Sequence, residues 1–304
     1  MHFFVEGGAL VGMGHISRVA SLVSQFNCRG ISSKISLFGD LSAKRFAENL
    51  NLPLGKPPSH HEGAVAVVDA VHLPRGVLAE LERYSTRIVI SPAFKFLDHS
   101  THYFARTLPT LGALPARVTT KIDQDYAFVT AGGVSPQKEE KVGTHVGLCI
   151  SAGASNFGHK IAGALLRTNS LSSVHAISAA KPPAALINRK DFFHSFGTPD
   201  PWDFFSDCGV FVGGDGLMVS EAVARGVPAF SLSVGAASKK NELLVSEGAI
   251  IPFTWADVDS GALAKMLVDS RLLAGTRRAA SRVYRPEKSE KLAVDMLDTI
   301  IGKA

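Results

Sequence analysis

Two residues capable of acid–base and charge chemistry, His15 and Arg18, follow a pair of glycines near the start of the chain. The segment runs from Gly12 through Gly14 to Arg18 and comes after the first apolar run. A spacing of three residues places His15 and Arg18 on one face of the helix that the following apolar residues predict. Because a helix N-terminus disfavours positive charge, we expect a neutral His15 ring that can act as a general base. A structural role for His15, as a helix cap or a packed ring, is the alternative.

A second glycine-rich turn lies between an apolar run that ends at Val212 and a predicted helix over 217–224. Glycines let backbone N–H groups approach an anion, and the start of a helix adds favourable partial charge. The turn therefore predicts a diphosphate site, with a tight turn and no ligand as the alternative. Asp215 would repel a diphosphate unless it turned away as a helix cap, whereas Glu221 could accept hydrogen bonds from ribose hydroxyls. The predicted ligand-binding residues here are Gly213, Gly214, Asp215, Gly216 and Glu221.

Short apolar runs alternate with helical patterns along the chain. Strands are predicted at 3–5, 35–38, 64–68 and 87–90, and again at 146–150, 174–178, 192–196, 209–212 and 229–232. Helices are predicted between them, with Asp40 as the N-cap of the helix over 41–50. Strands this apolar, separated by helices, are typical of parallel sheets covered on both faces.

A segment of turn residues and charges over 131–144 separates the two series of strands and helices. It predicts an N-terminal domain over 1–140 and a C-terminal domain over 141–304. The expected fold class is α/β, with two Rossmann-like, doubly wound parallel-sheet domains facing a cleft. Such sheets bind ligands beyond the carboxyl ends of their strands, where the polar residues of this chain also cluster. The predicted substrate-binding residues are Gly12, Gly14, Arg18, Asp69, Ser151, Gly153, Ser155 and Asn156.

Composition excludes several classes of protein. Hydrophobic residues make up 46% of the 304 residues and charged residues 19%, which is typical of a globular protein and not of a disordered one. The net charge of +5 suits an anionic small molecule, and no run of five basic residues suggests nucleic acid. The three cysteines are too widely spaced for a zinc ribbon. We expect a cytoplasmic protein without a signal peptide, a transmembrane segment or a bound metal.

Two other kinds of site are weaker alternatives to the predicted diphosphate site. A dinucleotide-binding motif would need a third glycine where Ser17 stands, although Asp40 does follow the second strand. His99 and His102 lie beside Asp98, but a third metal ligand is not evident. The sequence therefore supports neither a dehydrogenase nor a metal site as well as it supports the diphosphate site.

The motifs together resemble the GT-B superfamily over nearly the whole chain. The closest similarity is to the UDP-sugar hydrolase of pseudaminic acid synthesis and its spore-coat relatives, and a more distant one is to the lipid-II-forming N-acetylglucosaminyltransferase. The resemblance implies that His15 activates water, that Gly213 and Gly214 hold a diphosphate, that Glu221 holds the ribose, and that Asn241 lies near sugar and phosphate. It implies a UDP-sugar substrate and no cofactor or metal.

The sequence departs from that family where the sugar ring is expected. Members typically carry an Asp-rich first loop, an Asp-Asp pair after the fourth strand and an Asn-Gln pair. Here the first loop begins at Glu6, the second position reads Ser91-Pro92, and the third reads Asn241-Glu242. Three functions stay open: a nucleotide-sugar hydrolase, an inverting glycosyltransferase with a carbohydrate or membrane-linked acceptor, and a non-catalytic nucleotide-sugar binder. A membrane-linked acceptor predicts an exposed apolar patch, to which 92–97 could contribute.

Overall fold

The computed structural model describes residues 1–56, 64–110, 112–132, 145–150, 155–168, 170–178, 180–195, 201–232 and 241–302. The chain divides into two compact units. The first contains Met1–Gly132 and Glu287–Ala304, and the second contains Gly133–Pro286. The predicted linker over 131–144 and boundary at 140 lie mostly outside the described residues.

The first unit is built on a six-stranded parallel sheet with the order β2-β1-β3-β4-β5-β6. Its strands are β1 (His2–Gly7), β2 (Lys34–Gly39), β3 (Val65–Asp69), β4 (Thr86–Val89), β5 (His102–Ala105) and β6 (Thr119–Ile122). Its first three helices are α1 (Gly14–Asn27), α2 (Leu41–Asn49) and α3 (Arg75–Leu81). Asp40 caps α2 by accepting a hydrogen bond from the Ala43 N–H, as the sequence predicts.

Residues of the first sheet alternate between its two faces, because successive strand side chains point in opposite directions. Phe3 and Val5 of β1 pack with α1 on one face, whereas Phe4 packs with α3 on the other. In β3, Val65 and Val67 lie on the α1 face, so Asp69 at the end of that strand lies there too. This alternation directs the Asp69 carboxylate towards α1.

The second unit contains another six-stranded parallel sheet, with the order β12-β11-β10-β7-β8-β9. Its strands are β7 (His145–Cys149), β8 (Ser173–Ile177), β9 (Phe192–Ser195), β10 (Val210–Gly213), β11 (Ala229–Leu232) and β12 (Ile250–Phe253). Its helices are α4 (Ser155–Leu166), α5 (Ala184–Ile187), α6 (Pro201–Ser206), α7 (Leu217–Ala224), α8 (Glu242–Ser246), α9 (Trp255–Asp259), α10 (Ala262–Met266) and α11 (Ser270–Val283). The two parallel sheets, one in each unit, confirm the predicted α/β class with two parallel-sheet domains.

The last helix, α12 (Lys291–Ile301), packs in the first unit, whereas the sequence-based division places it in the C-terminal domain. Its buried face, which includes Leu292, Ala293 and Met296, joins the core beside α1. Asp295 accepts a hydrogen bond from the Tyr126 hydroxyl at 2.7 Å and pairs with the Lys121 ammonium at 2.6 Å. The apolar stripe of α12 is visible in the sequence, but nothing local indicates which sheet it covers.

Truncating Met296 to alanine is expected to destabilise the protein by about 2–5 kcal/mol, because the fully buried side chain leaves a cavity in the core of the first unit. Val294→Ala is the matched control on the same helix, since Val294 is exposed. Urea denaturation compares the two variants. Equal losses of stability would contradict the packing of α12 described here.

Candidate functional site

The predicted residues of the N-terminal half meet where the strand order of the first sheet reverses. β1 has β2 on one side and β3 on the other, and α1 and α3 pack on opposite faces. The two connections therefore diverge and leave a crevice beyond the carboxyl ends of β1 and β3. Val5 lies opposite Asp69 in the pairing of these strands, so Asp69 ends at the edge of this crevice.

The loop from β1 to α1 is closed by two backbone hydrogen bonds between Gly8 and Gly12, with N···O distances of 3.2 and 2.7 Å. Gly8 and Gly12 have φ of 137° and 86°, a region that glycine adopts without strain. The loop is also held by Asp40, whose carboxylate accepts a hydrogen bond from the Ala9 N–H at 2.8 Å. This bond, together with those from Ser42 and Ala43, lowers the Asp40 pKa to about 2. Gly14 then starts α1.

The structure brings together His15, Arg18 and Asp69. His15 Nδ1 lies 2.5 Å from Asp69 Oδ1. Arg18 donates from Nε to Asp69 Oδ2 at 2.7 Å and from Nη2 to Oδ1 at 2.6 Å, which is a two-pronged contact of guanidinium with carboxylate. Asp69 is completely buried, Arg18 is nearly so, and the His15 side chain is 13% exposed.

Asp69 is ionised despite its burial. Burial alone would raise its pKa, but the Arg18 charge, His15 and their hydrogen bonds hold the pKa at about 2. A carboxylate can only accept, so the short contact places a proton on His15 Nδ1 and makes Nε2 the ring nitrogen that can exchange a proton with a substrate. Arg18 Nη2 lies farther from Nδ1, at 3.3 Å. The arrangement can therefore orient a neutral imidazole as a general base and stabilise it once protonated.

In the second unit the strand order reverses between β7 and β10. Gly214 N–H donates to the Cys149 carbonyl at 3.2 Å, which ties the two strand ends together. The turn that follows β10 leads into α7, whose first N–H groups have no partner within the helix. The predicted diphosphate turn thus lies at the reversal point of the second sheet. The His15 and Asp69 positions lie at the corresponding point of the first sheet.

The four residues of this turn, 213–216, have different structural roles. Gly213 ends β10, and a Cβ there would lie 2.7 Å from the Phe211 ring, so packing alone requires glycine. The Gly214 N–H is already used by the Cys149 carbonyl. Gly216, and not Asp215, occupies the N-cap position of α7, because the backbone turns helical only after Gly216. Asp215 therefore directly precedes the N-cap residue, and its role stays a prediction. The N–H groups suited to an anion are those of the first turn of α7.

Glu221 and Asn241 are both buried, with 2% exposure each. Glu221 lies inside α7, and Asn241 stands directly before α8. Burial, followed by the charge of Glu221, raises the pKa of the Cys149 thiol to about 12. The Glu221 carboxylate is therefore close to the carboxyl end of β7, beside the reversal point of the sheet.

Four of the predicted substrate-binding residues lie wholly or partly outside the described part of the structure. Ser151 and Gly153 lie outside the described residues. Ser155 and Asn156 belong to the first turn of α4, and their side chains also lie outside the described part of the structure. Their roles stay predictions.

The segment 92–97 and the nearby histidines are the sequence-based candidates for an apolar patch and a metal site. Phe94 and Leu97 are buried in the first unit, so they do not form the apolar patch that a membrane-linked acceptor predicts. Among the described residues, His99 and His102 do not join a metal-binding cluster of three or more His, Cys, Asp or Glu side chains. Every helix in the described ranges falls short of the length and apolarity needed to cross a membrane.

Sequence reasoning did not identify the histidines grouped around Ser178 in the second unit. His159 Nε2 and His194 Nε2 lie 3.2 and 2.9 Å from the Ser178 hydroxyl oxygen. Burial lowers the pKa of His159, His175 and His194, and the His194 charge adds to the effect on the other two. Only the spatial grouping of residues distant in sequence reveals this cluster.

These lowered pKa values predict that the protein loses stability as the pH falls below 6.5, the ordinary histidine pKa. In that range the unfolded chain binds protons that the folded histidines resist, so protonation favours unfolding. We expect a lower Tm at about pH 5.5 than at about pH 7.5, and a smaller difference in His159→Gln. An equal difference in the variant and the parent would contradict the assignment.

The chain is similar to solved protein structures, although sequence comparisons find no match. No protein-family model matches the sequence, and a search of curated proteins finds no match. The chain is similar to SnogD, a glycosyltransferase from Streptomyces nogalater, with 16% identity, a TM-score of 0.61 and coverage of 99% of both chains. It is similar to Acinetobacter baumannii MurG with 12% identity and a TM-score of 0.55, over 98% of this chain and 99% of that one.

A third similar structure is the spinosyn rhamnosyltransferase SpnG in complex with thymidine diphosphate. The identity is 14% and the TM-score 0.56, and the match covers 98% of this chain and 100% of SpnG. At such identities the similarity concerns the fold. The shared architecture of two parallel six-stranded sheets over the full length establishes that this protein has the two-domain GT-B fold.

Proposed function

We propose that the protein is an inverting glycosyltransferase that moves a sugar from a nucleoside diphosphate donor to an acceptor hydroxyl. The observation that carries the proposal is the hydrogen bond of His15 to the buried, ionised Asp69 at the reversal point of the first sheet. This contact supplies an oriented base, which an inverting displacement needs. UDP as the nucleotide follows from the family resemblance, and the thymidine diphosphate bound by SpnG makes TDP the other candidate.

In the proposed reaction, His15 Nε2 takes the proton of the acceptor hydroxyl as its oxygen attacks the anomeric carbon of the donor. The bond from that carbon to the diphosphate oxygen breaks, and the nucleoside diphosphate leaves with the bonding electrons. Asp69 stabilises the imidazolium that forms, and Arg18 keeps Asp69 ionised. The N-terminal turn of α7 is suited to the charge that develops on the diphosphate.

Hydrolysis of the same donor is the second candidate, with water in place of the acceptor hydroxyl. It is favoured by the similarity of the segment from Gly12 to Arg18 to the UDP-sugar hydrolases. The GT-B glycosyltransferases among the structural matches support transfer instead. The same His15 base would serve both reactions.

Nucleoside diphosphate release from UDP- and TDP-sugars, measured with and without acceptor sugars and aglycones, tests the proposal. We expect release that depends on an acceptor and yields a glycosylated product. Release at the full rate without acceptor would make the protein a hydrolase. Binding of the nucleotide without release in any combination would make it a non-catalytic binder.

A further inference from the structure

A second carboxylate, Glu6, lies next to the site on the opposite face of the first sheet. Its Oε2 atom accepts hydrogen bonds from the backbone N–H groups of Val71 and His72 at 2.7 and 2.8 Å. Hydrogen bonds to an ionised carboxylate are stronger than those between neutral groups. One oxygen of Glu6 thus fixes two consecutive peptide units just beyond the end of β3.

The position of Glu6 makes this contact relevant to His15. Val5 is the residue opposite Asp69 in the β1–β3 pairing, and Glu6 follows it. After Asp69 the chain leaves the sheet, so the N–H groups of 71 and 72 lose their strand partners. Glu6 replaces those partners, and the Val71 carbonyl accepts a further bond from the Lys95 N–H at 3.2 Å.

Two carboxylates therefore fix the end of β3 from opposite faces of the sheet. Asp69 joins β3 to α1 through His15 and Arg18, whereas Glu6 joins β1 to the segment that follows Asp69. If the segment after Asp69 shifts, the Asp69 carboxylate and the His15 ring that it orients shift with it. A displacement of a reacting group by about 1 Å can cost about 10²-fold in rate.

We propose that Glu6 is a positioning residue for the His15–Asp69 pair. It contacts neither reacting atom; it sets the end of β3 so that His15 presents Nε2 in the productive direction. This inference rests on the proposed function for its kinetic consequence, but the positioning itself can be measured without turnover. The Gly-rich loop after Glu6 contains none of the aspartates typical of the UDP-sugar hydrolases. The carboxylate of Glu6 binds two backbone N–H groups and so has a structural role in this region.

The test compares Glu6→Ala with Glu6→Gln and with Asp269→Ala in the full-length protein. Asp269 is a matched control, because one of its oxygens also accepts from two consecutive N–H groups, those of Arg271 and Leu272, but in the second unit. Glu6→Gln keeps an oxygen that can accept both bonds. Three measurements apply: turnover and donor KM, hydrogen exchange of the Val71 and His72 amides, and the ¹⁵N shifts of the His15 ring, which report its tautomer.

We expect Glu6→Ala to lower kcat by about 10- to 100-fold with donor KM unchanged, to expose the two amides, and to mix the His15 tautomers. Glu6→Gln should restore most of each property, and Asp269→Ala should change none of them. Unchanged His15 shifts in Glu6→Ala, despite exposed amides, would overturn the proposal. If Glu6→Ala does not fold, the shorter Glu6→Asp takes its place under the same criteria. If the proposed function is wrong, neither the parent nor any variant will turn over the donor. The exchange of the Val71 and His72 amides and the ¹⁵N shifts of His15 then still show whether Glu6 positions the His15 ring.

Discussion

Replacing His15 with asparagine is expected to lower kcat by about 10²–10⁴-fold, the usual contribution of a positioned general base. Asparagine keeps a polar side chain at the start of α1 but cannot take a proton from a hydroxyl. Affinity for the nucleoside diphosphate should be unchanged, because the residues proposed to bind it belong to the second unit. Steady-state kinetics and calorimetric titration of the nucleotide measure the two quantities separately.

His145→Asn is the control for this variant. His145 is exposed at the amino end of β7, and its Nδ1 atom lies 2.7 Å from the Ser173 hydroxyl oxygen. The reversal-point turn lies at the other end of the strands, beyond the carboxyl end of β10. It should retain full activity. A fully active His15→Asn variant would show that the base lies elsewhere.

Replacing Asp69 with asparagine is expected to affect both stability and turnover. The carboxylate is completely buried and pairs with Arg18, so the variant leaves a buried guanidinium without its counter-charge. Breaking such a pair costs about 3–5 kcal/mol. Loss of an orienting carboxylate behind a catalytic histidine lowers kcat by up to about 10⁴-fold in serine hydrolases, and we expect a loss of about 10²–10⁴-fold here.

A double variant separates the two effects. Asp69→Leu combined with Arg18→Met removes both charges, so most of the stability should return while turnover stays low.

The ionisation of Asp69 also makes the stability of the protein depend on pH in a defined direction. Its folded pKa of about 2 lies below the ordinary 3.8, so its stabilisation is complete above 3.8 and is lost as the pH falls towards 2. Urea denaturation of the parent and Asp69→Asn across this range should converge at the acid end; parallel curves would contradict the assignment.

The sequence predicts the parallel α/β architecture because the central strands are continuous apolar runs bounded by turns. It does not predict β5, β6 or β12. β5 has only four residues and begins with the polar His102. Every residue of β6 is exposed, so the strand lacks an apolar pattern. β12 contains Pro252, which an edge strand tolerates but which argues against a central strand. The packing of α12 against the first unit depends on contacts between residues at opposite ends of the sequence, which local patterns do not encode.

The candidate site is predicted in part for the same reason. Strand ends and glycine turns identify His15, Arg18 and Asp69 as neighbours of one sheet edge. Their direct contact, however, depends on the register of β1 against β3, which brings together residues 54 positions apart. The contact of Glu6 with Val71 and His72 depends on that register too. The role of Gly213 in packing against Phe211 is likewise visible only once β10 and α7 are in place.

The anomeric configuration of the product tests the central claim most directly. A single displacement driven by the His15–Asp69 pair must invert the configuration of the donor carbon, because the nucleophile attacks opposite the departing diphosphate. ¹H NMR of the product, recorded before the free sugar mutarotates or on the stable glycoside, reports the configuration. We expect an α-linked donor to yield a β-linked product, and the rate to collapse in His15→Asn. A product that retains the donor configuration would contradict a mechanism with His15 as the base of a single displacement.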